Sequence, residues 1–425
     1  MHTFDITLEG LSKMEGHAGL HVKVKNNKVE DVKLMIVENR RFFEQAVQNI
    51  DINSAPSLMS RICGTCSIAH EMCSIKSIEH ALNILPSEQT VILRNLAMFG
   101  LIIRDHALHL GFFSLPDVMG KDSILDFDEK NEKEHKLLHD IFDIKQAGND
   151  LSTLVAGRAV HGLNFLVGGF SAFPSKEKVK EIVDKLKSVR EKTLNLVEIF
   201  RDWEEKFETP TEFASLMNDD FSFLNGNVIH AKNEEVTEKE YLKHLHEVVI
   251  PYSTSKGYDF EGQVFMVGAL SRINQNRKNL HKETRKDVNL GLFPSYNVFH
   301  NNLAQAIEIP HSIDSAIELL ESTGFRQENP AKPEKNTGEG VGIVEAPRGL
   351  LYHYSDIRDG KIVKSKVVVP SSQNQIKMDK DIVLLVESML PKKGKKDIEW
   401  EIEKLIRAYD PCMSCAAHFL KVKWI

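Results

Sequence analysis

Apolar and polar residues alternate over Phe4-Asp-Ile-Thr-Leu and over Leu20-His-Val-Lys-Val-Lys, and a third such run, Val29-Glu-Asp-Val-Lys-Leu-Met-Ile, follows at once. A period of two, broken by Gly-containing turns, predicts antiparallel strands with one buried face. The period then lengthens. Glu38 to Val47 has the charge and apolar spacing of a helix start, and Glu71 to Leu82 reads as a helix stopped by Leu85-Pro86. Ser87-Glu-Gln-Thr caps a long apolar helix running to about Phe113. Lys121 to Asp150 is crowded with Asp, Glu, Lys and His, which predicts solvated helix and loop at the surface. Ser175 to Phe207, with Val179, Ile182, Val183, Leu186 and Val189 on one stripe, predicts an amphipathic helix packed on the core. Asn301 to Thr323 predicts a helix interrupted at Pro310. Gln327 to Gly342 is polar and rich in Pro and Gly, and reads as a loop. Its Gly338-Glu-Gly340-Val-Gly342 is no dinucleotide fingerprint, because the strand before and the helix after are missing.

Composition changes this picture little. The 425 residues leave room for about three domains by length alone, and the reading here is one, 1–425. With 42% hydrophobic residues, 27% charged residues and a net charge of −7, the chain has ordinary globular composition, and its acidity argues against nucleic acid. No run of about 18 apolar residues predicts a membrane span, and Met1-His-Thr-Phe-Asp is not a signal-peptide start. Four of the five cysteines fall in two paired motifs and only Cys73 is left over, so disulfides are not expected to hold the fold and a reducing compartment, the cytoplasm, follows.

The chemistry lies in two stretches at opposite ends. Arg61-Ile-Cys63-Gly-Thr-Cys66-Ser-Ile-Ala-His70 has a near twin in Asp410-Pro-Cys412-Met-Ser-Cys415-Ala-Ala-His418. Two residues between cysteines let both sulfurs face one soft cation, so four thiols in two such pairs suggest a metal. Spacing alone favours a closed structural zinc site. Zinc knots, however, usually join pairs about 15–20 residues apart, and here nearly the whole chain lies between them.

The double motif resembles the large, catalytic subunit of [NiFe] hydrogenases, and matching elements run from Met14 to His418. The resemblance implies an α-rich α+β fold, a central helical bundle with antiparallel sheet pieces, whose first and last segments meet at a buried metal. It implies that Cys63, Cys66, Cys412 and Cys415 bind nickel, with Cys66 and Cys415 bridging to an iron that carries two cyanides and one carbon monoxide. In Met14-Glu15-Gly16-His17 it makes Glu15 the first acceptor of protons leaving a cysteine, with Cys412 or Cys415 as the thiolate base. In Arg41-Phe-Phe-Glu44, where the family usually writes Arg-Gly-Leu-Glu, it makes Glu44 a ligand of a separate Mg²⁺ or Fe²⁺, shared with His418 and the Val367 backbone carbonyl. Hard cations prefer such oxygen donors. Glu345-Ala-Pro347-Arg348-Gly resembles the element that hangs a guanidinium over the nickel beside Asp105 and Asp410. A buried Asp105 needs such a partner, whereas His106 and His109 read as hydrogen-bonded core residues. His70, Pro347 and Ser371 would surround the metals without binding them, Ser371 toward a cyanide. Gly157-Arg158-Ala-Val-His161-Gly162 resembles a family turn, except that Gly162 stands where the family has proline.

The activity implied is the reversible cleavage of H₂ to protons and electrons. The chain has no cysteine set for an iron–sulfur cluster, so an iron–sulfur small subunit is expected, with further electron-transfer subunits linked to NAD(P), a deazaflavin or ferredoxin. Cleavage after His418 by a maturation endopeptidase, removing 419–425, is also expected. Two alternatives compete with this: a non-catalytic subunit with a four-cysteine zinc site, and a relative of the quinone-module subunit of respiratory complex I, which generally lacks the cysteines.

Overall fold

A computed structural model describes residues 3–39, 42–230, 234–390 and 392–417. His418 and the tail 419–425 therefore lie outside the described residues, as does Arg41. The alternating runs form a three-stranded antiparallel meander, β1 (Phe4–Leu8), β2 (Ala18–Lys25) and β3 (Lys28–Ile36), in that order. Leu20, Val22 and Val24 face inward from β2 while Lys23 and Lys25 face out. The helix expected from Glu38 shrinks to Phe43–Ala46, because Phe42 takes a left-handed backbone conformation (φ 50°) and the chain turns there.

Four long helices form the bundle. α1 (Ser67–Leu82) precedes it and begins directly at Cys66, earlier than the expected Glu71. α2 (Glu88–Leu108) starts where predicted, the Ser87 hydroxyl accepting from the Thr90 N–H at 3.0 Å. A π-helical turn, His109–Ser114, and a short helix, Leu115–Val118, extend it. By length and composition the whole stretch Glu88–Val118 would pass as a membrane span, which the expectation of no such run overlooked, but most of it is buried inside the protein. α3 (Glu132–Ala156) overturns the surface reading of that segment: Ile141, Ile144, Ala147 and Leu151 form a stripe pressed onto α2. α4 (Lys176–Arg201) stops short of the expected Phe207, and α5 (Ala269–Asn276) is short. α6 (His300–Ser322) runs through Pro310 without a break. Proline inside a helix costs about 3 kcal/mol, and burial of the surrounding residues against α2, α4 and α5 outweighs it. α2, α3, α4 and α6 pack in a ring, each against its neighbours.

A second antiparallel sheet, β4 (Gly338–Ala346), β5 (Gly349–Arg358) and β6 (Lys361–Val368), lies on α1, with β5 central. The glycines read as loop belong to β4. Strand residues two apart rise about 6.7 Å and helix residues four apart 6 Å, so Gly338, Gly340 and Gly342 meet successive turns of α1 at Ala81, Ser77 and Cys73. A Cβ at Gly340 would stand 2.1 Å from the Ser77 carbonyl oxygen and 2.3 Å from the Ala81 nitrogen. Gly340→Ala is therefore expected to destabilise the protein by about 3 kcal/mol, read as a lowered midpoint in thermal unfolding. An unchanged midpoint would contradict this packing. The chain closes through α7 (Pro370–Met389), α8 (Lys395–Ala408) and the four-residue α9 (Met413–Ala416).

Candidate metal centre

Each cysteine pair stands where extended backbone turns into a helix. Cys63 is extended (φ −147°, ψ 141°) after the turn Ser60–Ile62, and Cys66 precedes α1. Cys412 is extended after Pro411 and caps α9, which carries Cys415. Asp410, with φ 49°, supplies the left-handed turn that aims this segment inward. The four sulfurs meet. Cys63 and Cys412 Sγ are 3.3 Å apart, Cys66 and Cys415 3.2 Å, and Cys412 and Cys415 2.8 Å. All four lie within 4.8 Å of one another, buried, and none is in a disulfide.

Four thiols this close cannot all ionise unaided. Hydrogen bonds from Cys412, then Cys415 and Cys66, pull the Cys63 thiol well below its usual pKa, while burial pushes Cys412 and Cys415 well above theirs. The four thiols therefore titrate as a coupled set rather than independently. A cation bound among them would let the others ionise as well, and this donor set suits soft transition metals.

The N-terminal loop reaches this cluster through backbone contacts. Glu15 and Cys412 form an isolated bridge, and the Met413 N–H donates to the Glu15 carbonyl at 3.0 Å. The Cys412 thiol donates to Glu15 Oε2 at 3.0 Å, and the Ser414 N–H to the same oxygen at 3.1 Å. Burial, and then the Cys63 charge, raise the Glu15 pKa against the pull of these hydrogen bonds. Gly16 (φ 83°) makes the approach possible, since a Cβ there would lie 2.9 Å from Met413 Cβ and from the Ser414 nitrogen.

A guanidinium covers the other side. Arg348, in the turn from β4 to β5, places Nη1 2.8 Å from Asp105 on α2 and Nη2 2.9 Å from Asp410. Burial works against its charge, but Asp105 and Asp410 outweigh that and hold its pKa well above the ordinary value. Gln305 donates to Asp410 at 2.8 Å, and the His109 ring sits between the Gln305 amide oxygen (2.6 Å) and the Arg407 carbonyl (2.9 Å). His106 pairs with Glu308 at 2.8 Å. Both histidines are hydrogen-bonded core residues, as expected. The Pro347 carbonyl accepts from Arg272 at 3.0 Å, which steadies the Arg348 turn.

A small enclosed cavity between the sulfurs and Arg348 is lined by His70, Leu351, Pro370 and Ser371 among others. The Ser371 hydroxyl oxygen accepts the Cys412 N–H at 2.7 Å, leaving its proton for another acceptor. His70 Nε2 lies 3.6 Å from Cys415 Sγ and its Nδ1 3.1 Å from His353 Nε2. Apart from these, Glu44 accepts the Val367 N–H at 2.7 Å, and burial raises its pKa. The third member of that set, His418, is outside the described residues. The motif reading missed His353 and Gln305. Their signal was there, His353 on the buried side of an alternating strand and Gln305 in a helix buried nearly all round.

Comparison with known proteins follows the same outline. The family model described as nickel-dependent hydrogenase matches residues 41–139 and 217–418. Sulfhydrogenase 2 subunit alpha of Pyrococcus furiosus is 33% identical over 422 residues, covering 98% of this chain and 100% of that protein. The NAD-reducing hydrogenase HoxS subunit beta of Cupriavidus necator is 28% identical, covering 98% and 95%. A crystal structure of an NAD⁺-reducing [NiFe]-hydrogenase in the H₂-reduced state superposes with a TM-score of 0.88 at 22% identity, over 98% of this chain and 100% of that one. It shares this fold.

Proposed function

Since the chain belongs to the nickel-dependent hydrogenase family, oxidoreductases that act on H₂, we propose that it is the catalytic subunit of a heteromeric [NiFe] hydrogenase that interconverts H₂ with protons and electrons. The observation that carries this is one buried cluster of four sulfurs, drawn from both ends of the chain, with a carboxylate on one side and a guanidinium on the other. A structural zinc site would have no use for either.

Cys63 and Cys412 would hold nickel terminally, and Cys66 and Cys415 would share it with the iron that carries cyanide and carbon monoxide. Bound there, the pair supplies heterolytic cleavage of H₂. The Cys412 sulfur accepts the proton and passes it to Glu15 Oε2, which faces it at 3.0 Å. Arg348 presents fixed positive charge to the cavity, its fork held by Asp105 and Asp410 so that no reorganisation is needed. The Ser371 hydroxyl, whose oxygen accepts the Cys412 N–H, would have its proton available for a cyanide. Glu44, the Val367 carbonyl and His418 would take Mg²⁺ or Fe²⁺ and anchor the end of the chain. Electrons leave to an iron–sulfur small subunit and onward to an NAD(P)-, deazaflavin- or ferredoxin-linked partner in the cytoplasm. Removal of 419–425 by an endopeptidase would complete maturation.

The expected result of metal analysis on the purified complex is nickel and iron at this subunit, in about equal amounts. Zinc without nickel in a fully matured preparation would overturn the reading.

A further inference from the structure

We propose that His353 donates its Nε2 proton to His70 Nδ1 and so holds His70 in the tautomer whose Nε2–H is hydrogen-bonded to the Cys415 sulfur. The inference rests on the nickel–iron reading and names a positioning residue that the motifs do not.

His70 and His353 are each only 1% exposed, so bulk water is not there to choose their tautomers. His70 stands on the first turns of α1, with Nε2 3.6 Å from Cys415 Sγ, a distance suited to sulfur's large radius. Its Nδ1 faces His353 Nε2 at 3.1 Å, with the rings inclined at 58°. A neutral imidazole has one donor nitrogen and one acceptor. A metal-bound thiolate has no proton to give, so His70 must donate from Nε2. Its Nδ1 is then an acceptor, and the proton between the rings belongs to His353 Nε2. A donor at Nδ1 draws density from the ring and makes Nε2–H a stronger donor to the sulfur. Metal-binding histidines are commonly oriented by such an outer partner, and here the same logic acts one bond further out, on the sulfur.

The fold gives His353 little freedom to move. It lies on β5, the central strand of its sheet, opposite Val367 on β6 and Gly342 on β4. Gly342 has no side chain, and α1 closes over that face. The backbone at His353 is therefore held by a ladder on both sides, and the electron density of a bridging sulfur is adjusted from a strand that touches no metal.

Neutron diffraction from deuterium-exchanged, metal-loaded complex tests this. Deuterium is expected on His353 Nε2 and on His70 Nε2. Deuterium on His70 Nδ1 would overturn the proposal. Zinc in those crystals would sink the nickel–iron reading, yet the sulfur would still be a thiolate and the two ring positions would still decide this one. Infrared spectra supply the functional arm. In His353→Leu the carbon monoxide band is expected to move to lower wavenumber, because a bridging sulfur that loses hydrogen bonding donates more density to iron. In His353→Gln, which keeps an N–H donor, it should stay near the wild-type position. A band unmoved in His353→Leu, or moved equally in both, refutes the positioning role. If His353→Leu does not mature, the glutamine variant and the deuterium positions decide.

Discussion

Glu15→Gln is expected to leave nickel and iron in place and to lower both H₂ turnover and H₂/D⁺ exchange by roughly 10²–10⁴-fold, the usual worth of a positioned proton carrier. The amide keeps the volume, and its oxygen can still accept from the Ser414 N–H and face Cys412, so the clamp between the chain ends survives. What it loses is the capacity to take a proton at Oε2 and release it. Burial already lifts the Glu15 pKa toward the range in which a carboxyl can do both. Metal content and thermal midpoint separate this from simple damage, because both should match the wild type. Exchange at the wild-type rate would make Glu15 a bystander.

Arg348→Lys is expected to cost about 10²–10³-fold in turnover, comparable to the loss of one preorganised electrostatic group. The charge is retained, so any effect comes from geometry. Arginine spans Asp105 and Asp410 with two separate nitrogens at 2.8 and 2.9 Å. A lysine ammonium is a single point on a flexible stem and can satisfy one carboxylate well, leaving the other buried and poorly paired. Stability should fall too, since an unpaired buried charge is costly. The two effects separate when kcat is measured well below the unfolding transition. Unchanged turnover there would refute the role given to the fork.

The sequence revealed some parts of this molecule and concealed others, for physical reasons. The meander was legible because one face is wet and the other buried, so the period of two is written in polarity. α2 was legible at its start because Ser87 caps it through its side chain. The cysteine pairs stood out because few other uses call for two such motifs. β4 was hidden: glycine is chosen there for what it lacks, and three glycines in a polar stretch look like a loop until α1 is laid across them. α3 was hidden by its charges, which outnumber the stripe that packs. The early start of α1 was concealed by the metal motif itself, whose last residues are already helical. Glu15, Asp105 and Arg348 could be named from motifs, but the turns at Gly16 and Asp410, which bring Glu15 to Cys412 and Asp410 to Arg348, are announced by no local pattern.

The bridge between Glu15 and Cys412 has a mechanical consequence. Pulled by its two ends, the chain would transmit force straight across this contact, because nearly everything from Gly16 to Pro411 lies in the loop that it closes. The bundle and both three-stranded sheets would bear little load until the clip gave way, except for β1, which lies outside the loop. In a single-molecule stretching experiment the cysteine cluster would act as the fuse of the molecule once β1 had peeled away, and the force at which the clip opens would report on how firmly its contents hold the two ends together.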